Sequence, residues 1–148
     1  RYQKVVLGSQ AFVAQVQLKT RESTAVQHLF GLGGVGTLRG YGFREFLGNR
    51  VLMASLDYLF RGDLLGRIPL KGLHLLSMTL FVDAGWARTV PRRRHLLAGF
   101  GDLRVGDFKA DAGVGLSLPQ QLLRFNLARR LDRSSDAWVV SLRLRKRI

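Results

Sequence analysis

Apolar side chains at every second position constrain this chain more than any other feature. Over residues 73–86, Leu76, Met78, Leu80, Val82, Ala84 and Trp86 fall on one face of an extended strand. Leu75, Ser77, Thr79, Phe81, Asp83 and Gly85 fall on the other. Successive side chains of a strand point to opposite faces, so this segment presents one wholly apolar side and one mixed side. The pattern recurs. Residues 51–60 set Leu52, Ala54, Leu56, Tyr58 and Phe60 against Ser55 and Asp57, and residues 109–118 set Ala110, Ala112, Val114, Leu116 and Leu118 against Asp111, Gly113, Gly115 and Ser117. Leu123, Phe125 and Leu127 oppose Arg124 and Asn126, while Trp138, Val140, Leu142 and Leu144 oppose Ser141, Arg143 and Arg145. Near the start, Phe12, Ala14, Val16 and Leu18 oppose Gln15, Gln17 and Lys19.

These six segments bracket the roughly 9 to 11 residues a tilted strand needs to cross a bilayer. Pro69, Pro91 and Pro119 all fall between them, where a missing ladder donor does least harm. Connections alternate in length: long over residues 20–50, shorter over 61–72, long over 87–108, then a turn at 119–122 and a loop near 131–136. Long and short connections on opposite sides are the arrangement of an outer-membrane barrel. A soluble antiparallel sandwich alternates too, so periodicity alone leaves both architectures open.

Composition narrows the chemistry. The 148 residues include no cysteine and three scattered histidines, His28, His74 and His95, which removes thiolate nucleophiles and disulfides and disfavours a metal cluster. No run approaches the roughly 18 consecutive apolar residues of a membrane helix. The chain opens at Arg1 without the features of a signal peptide and reads as a fragment of a longer protein. A formal charge of +14 favours phosphate-bearing partners, either nucleic acid or anionic lipid. A soluble basic β-domain that binds nucleic acid would display Phe12, Tyr58, Phe81 and Trp138 beside arginines for base stacking. Trp86 and Trp138 instead continue aliphatic faces, as interfacial girdle residues do. The run Arg92-Arg93-Arg94-His95 fits either a phosphate contact or a solvated loop, and the alternation of Arg143 and Arg145 with leucines favours a wet inner wall.

Glycines at 31, 33 and 36 match a dinucleotide-binding expression, with Asp57 at a suitable distance downstream. Further glycines at 40, 42 and 48 follow at once, where the motif needs a helix, so no nucleotide site is expected. Asp57, Asp83 and Asp111 share the inner face of three neighbouring segments. No nucleophile elbow or base accompanies them, so they read as charge partners of arginines and not as an acid/base dyad.

Two short stretches carry more specific information. Leu38-Arg39-Gly40-Tyr41, within the glycine-rich segment 33–45, resembles the motif of the long sixth extracellular loop in the Omp85 superfamily of outer-membrane barrels. Phe81-Val82-Asp83-Ala84-Gly85 resembles that family's inner-wall motif. The resemblance runs from about residue 11 to 148. It implies an all-β fold: the C-terminal half of an antiparallel transmembrane β-barrel, about six of sixteen strands, with the long loop inserted in the lumen. Residues 1–148 would then form one barrel portion, whose upstream strands and periplasmic repeats lie elsewhere.

By that resemblance Arg39 contacts Asp83 and pins the loop inside the pore, since a guanidinium fork grips a carboxylate with direction. The implied function is insertion or translocation of other proteins at an outer membrane, without enzyme activity, cofactor or nucleic acid. Membrane lipid, client proteins and accessory assembly proteins would be the partners. A strand carrying Trp138, Val140, Leu142 and Leu144 would form half of a lateral seam that offers edge hydrogen bonds to a client. Family members generally finish in an aromatic residue, whereas this chain finishes Arg145-Lys146-Arg147-Ile148. The barrel tail of a membrane-anchored enzyme is a further alternative.

Overall fold

The computed structural model describes residues 2–7, 10–60, 76–91, 95–118, 123–132 and 138–144, the first segment by its backbone alone. The run Arg92-Arg93-Arg94, the basic residues 145–147, the turn 119–122 and the whole connection 61–72 lie outside the described residues. Nine strands occur among the described residues, in chain order β1 (Tyr2–Leu7), β2 (Gln10–Thr20), β3 (Phe30–Leu32), β4 (Phe46–Gly48), β5 (Arg50–Phe60), β6 (Ser77–Arg88), β7 (Lys109–Ser117), β8 (Leu123–Arg130) and β9 (Trp138–Leu144).

Seven of them form one open antiparallel sheet in the order β1-β2-β5-β6-β7-β8-β9, and β3 pairs with β4 as a separate ribbon. Each neighbour in the large sheet is joined by the next stretch of chain, so the sheet is a meander with no crossover. The connections after β2, β6 and β8 emerge at one end, and those after β1, β5 and β7 at the other.

Register fixes the two faces. Ser55 stands opposite Asp83, Asp83 opposite Asp111, and Asp111 opposite Arg130. Leu56 stands opposite Val82, and Leu116 opposite both Met78 and Phe125. A slip of one residue would invert every side chain, so the match of outward apolar rows across the pairings of β5 with β6, β6 with β7 and β7 with β8 specifies the register there. The apolar face has no layer packed on most of it: Val16, Leu56, Leu80, Val82, Leu116, Phe125, Val140 and Leu142 are all exposed. The sandwich alternative required this face to be the dry interior.

Buried side chains gather on the concave, mixed face, where the segment between β2 and β5 folds back over the wall. Leu32, Leu38 and Tyr41 from that segment pack with Val51 and Met53 of β5, and Phe30, Phe46 and Ala87 flank them. This core joins the inserted segment to the wall and sets its height.

Three details differ from the sequence reading. Strand β1 adds a seventh strand to the sheet where six were expected. The inserted segment carries the β3–β4 ribbon instead of irregular chain. Trp86 lies on the outward face but is covered, 3% exposed, because Phe100 of the following connection tilts over it with ring centroids 5.4 Å apart. It is therefore held under a loop and is not a bare girdle residue.

Candidate functional site: the inserted segment and its wall

The ribbon β3–β4 carries a tip at residues 33–45 whose conformation depends on glycine. Gly33 and Gly34 have φ of 117° and 93°, the left-handed region that side chains avoid. Gly34 N–H donates to Leu38 C=O at 2.9 Å, and Gly33 N–H donates to the Thr37 hydroxyl at 2.7 Å. The tip so closed is a tight turn with no helix after it, so the glycine spacing serves the turn and not a nucleotide. The turn aims Leu38, Arg39, Gly40 and Tyr41 at the wall.

Leu38 is fully buried in the core just described. Arg39, 6% exposed, forms the centre of the contact. Its Nε donates to Asp83 Oδ2 at 2.6 Å and its Nη2 to Asp83 Oδ1 at 2.8 Å, a two-pronged grip on one carboxylate. The same Nη2 reaches Asp57 Oδ1 at 2.5 Å and the Ser55 hydroxyl at 3.1 Å on the neighbouring strand. Phe81 lies beneath, with the guanidinium carbon 3.7 Å from its ring centroid. A desolvated cation over an aromatic face gains about 2 kcal/mol, which helps a buried charge keep its place.

Gly40 continues the seam onto β7. Its N–H donates to Asp111 Oδ2 at 3.0 Å, and a Cβ at this position would sit 2.8 Å from the Asp111 Cβ. Its carbonyl accepts from Arg130 Nε at 2.9 Å. Tyr41 packs edge-on against Phe46, and Arg130 covers its other side, 4.4 Å from the ring centroid. The Tyr41 hydroxyl lies within hydrogen-bond reach of both the Asp132 carboxylate and the Ala110 carbonyl, its single proton serving one at a time. Burial, followed by the Asp132 carboxylate, pushes this phenol well above its ordinary pKa. Asp132 also accepts from Lys109 Nζ at 2.8 Å. Burial alone would raise the Asp132 carboxyl, but Lys109 and Tyr41 outweigh it and hold it below the usual carboxylate range.

The wall stretch Phe81-Val82-Asp83-Ala84-Gly85 meets the insertion at every inward position. Phe81 supports the guanidinium, Asp83 forks it, and Gly85 leaves room for Leu32, whose Cδ2 would lie 2.7 Å from a Cβ there. Asp57, Asp83 and Asp111 stand side by side on β5, β6 and β7. The sequence reads them as charge partners of arginines, and in the structure the Arg39 guanidinium meets Asp57 and Asp83 while the Gly40 N–H meets Asp111. Among the described residues no group of histidine, aspartate and glutamate side chains is placed to hold a metal ion.

Several members of the site carry no signal in the sequence. Arg130 contacts Gly40 and Tyr41 and also pairs with Glu45 at 2.7 Å, and Glu45 in turn accepts the Gly42 N–H at 2.7 Å. The contacts of Arg130 span 85 residues or more of chain, and no local spacing announces them. Trp138, Val140, Leu142 and Leu144 do not join the insertion. They are exposed on β9, the outermost strand of the sheet. Of the aromatics that stacking on bases would require, Phe81 is 2% exposed beneath Arg39, while Phe12 and Trp138 project from the apolar face, Trp138 directly opposite Arg129.

The architecture has a solved counterpart. A structure of BamA from Haemophilus ducreyi lacking POTRA domains 1–3 superimposes with a TM-score of 0.56 at 20% identity, over 90% of this chain. The sheet has the fold of a BamA barrel. It is an open portion, and the chain spans 32% of the length of that BamA. Comparison of the sequence with protein-family profiles gives no match, and no curated protein sequence matches. The relation of this BamA-like sheet to its counterpart is thus one of fold.

Proposed function

We propose that the chain is the C-terminal portion of an Omp85-type barrel in an outer membrane, acting in the insertion or translocation of other proteins and carrying out no catalysis. The observation that carries this reading is Arg39, buried in the concavity between Asp83 and Asp57, opposite a face of exposed apolar rows. Soluble monomers rarely leave a contiguous apolar area of more than a few hundred Å² uncovered, and hydrocarbon is the natural cover for a strand face of this kind. Eleven residues of β5, at about 3.3 Å each and tilted by about 45°, rise about 25 Å, the height of a barrel's apolar band.

In this reading the inserted segment is a plug and the Arg39 cluster its latch. A buried ion pair adds little net stability because desolvation offsets attraction, so the latch selects one plug position among several. The exposed edge of β9, with Trp138, Val140, Leu142 and Leu144 facing lipid, is half of a seam at which a client strand adds to the sheet. The partners are lipid, client barrel or secreted proteins, and accessory assembly proteins.

The test uses the full-length protein in liposomes with an unfolded barrel client. Arg39→Ala and Asp83→Ala each slow client assembly and expose residues 33–45 to protease. The Arg39→Asp/Asp83→Arg double variant recovers only in part, because Asp57 then faces a carboxylate. Single variants that assemble clients and protect the plug like the native protein defeat the reading.

A further inference from the structure

Outside the latch, the concave wall carries two cations that no carboxylate among the described residues meets at hydrogen-bond length. Arg124 on β8 and Arg143 on β9 stand directly opposite each other in register, on the same face. Like charges at directly opposed positions of antiparallel strands repel, so the pairing needs a compensating group. Arg124 Nε is used by Asn126 Oδ1 at 2.8 Å, but its Nη2 is buried without a hydrogen-bond acceptor among the described residues. The one nearby carboxylate is engaged elsewhere: Asp57 Oδ1 is held by Arg39, and Asp57 Oδ2 stays 3.8 Å from Arg124 Nη2, beyond hydrogen-bond length.

These groups surround a pocket of about 100 Å³ between the tip of the inserted segment and the wall, lined by Gln15, Thr37, Arg39, Asp57, Arg124 and Arg143 among others. Three guanidinium groups and one carboxylate therefore face a space with room for several waters or one small oxyanion. Thr37 already accepts the Gly33 N–H on its hydroxyl oxygen, which leaves its own proton for another acceptor. A buried N–H of a charged group left without an acceptor costs more than a lost neutral bond, so an occupant that accepts from Arg124 is strongly favoured.

We propose that Arg124 and Arg143 form an oxyanion site on the lumen wall, taking one carboxylate or phosphate group between the two guanidiniums, with Thr37 of the inserted segment as a further donor. The site is separate from the Arg39–Asp83 grip and stands whether or not the protein handles clients. Its occupant touches the tip of the insertion and the last two strands at once, and so ties the one to the other.

Calorimetric titration of the detergent-solubilised full-length protein tests this, with inorganic phosphate and acetate as probes and chloride at equal ionic strength as the reference. Phosphate or acetate binds above the chloride background, and Arg143→Gln weakens binding by about tenfold, the worth of a charge-assisted bond. Arg143 is exposed, so this variant folds; Arg124→Gln gives the same loss. Arg104→Gln, which removes an equal charge from an exposed loop, leaves binding unchanged. Acetate binding comparable to phosphate identifies a polypeptide carboxylate as the occupant, and phosphate alone identifies a phosphorylated solute. Absence of binding above chloride, or equal binding by native, Arg143→Gln and Arg124→Gln proteins, overturns the proposal.

Discussion

Arg39 is bounded by groups that a lysine cannot serve together. Its fork meets two oxygens of Asp83, its outer nitrogen meets Asp57, and its flat face lies on Phe81. An ammonium keeps the charge but has neither plane nor fork. Arg39→Lys therefore retains the fold and loosens the inserted segment. Arg39→Ala strands the carboxylates of Asp83 and Asp57 and costs about 3–5 kcal/mol. Urea unfolding of the refolded protein, read by tryptophan fluorescence, ranks the two.

Gly85→Val tests packing alone: it drives a side chain into Leu32 and costs about 1–3 kcal/mol without touching a charge. The same measurement checks it, and protease cleavage at residues 33–45 increases.

The Tyr41–Asp132–Lys109 contact sets a pH dependence whose sign follows from Asp132. Its folded-state pKa is lowered, so the contact stabilises the protein fully above the ordinary aspartate pKa near 4 and is lost as pH falls through the depressed value. Protection of residues 33–45 holds at pH 5 and declines below about pH 4, and Asp132→Asn removes that part of the decline.

At the scale of elements, two long connections are gathered by one cation. Arg50, the first residue of β5, is 1% exposed and donates to the carbonyls of Arg21 at 2.5 Å, Asn49 at 3.1 Å, Ala98 at 3.2 Å and His95 at 3.0 Å. Asn49 beside it donates to the Val90 carbonyl at 2.7 Å and accepts the Val90 N–H at 2.9 Å. Arg50→Met removes the donor from the part-buried carbonyls of Arg21, His95 and Ala98 and costs about 3 kcal/mol. The loop over residues 95–108 becomes susceptible to protease while circular dichroism still reports the sheet.

Nothing in the sequence around Arg50 reveals this role, because most of its acceptors are backbone carbonyls from two distant segments. Strands β2 and β5 to β9 are legible, since one face of each is apolar over most of its length and alternation is the signature of that condition. Strand β1 is not: Val5, Val6 and Leu7 run consecutively, and Gln3 and Lys4 are adjacent, so no period of two stands out. The inner-face positions of Asp57, Asp83 and Asp111 follow from alternation. Arg130, Glu45 and Asp132 become partners of the insertion only through the fold. Trp86 shows the limit of a face assignment, which places a side chain on one side of the sheet and says nothing about the loop above it.

At the scale of the molecule, the arrangement is a wall with exposed apolar rows on one face and a charged, hydrogen-bonded insertion on the other. The two faces share one backbone, so the apolar rows and the Arg39 cluster are not independent: exchanging the faces would put the aspartates where the apolar rows now stand. The +14 charge fits this division, because several of the cations line the concave side, where Arg39, Arg124, Arg130 and Lys109 are placed among carboxylates or around a polar pocket.

The most direct test is of the outward rows. The sequence has no cysteine, so single substitutions place one nitroxide at a time along β6, from Met78→Cys to Ala84→Cys, in the full-length protein in lipid vesicles. Collision with oxygen, which concentrates in hydrocarbon, should be high at 78, 80, 82 and 84 and low at 79, 81 and 83, with a period of two. Even-numbered positions that collide instead with a water-soluble nickel complex, or that are shielded from both reagents, would contradict a face in contact with lipid.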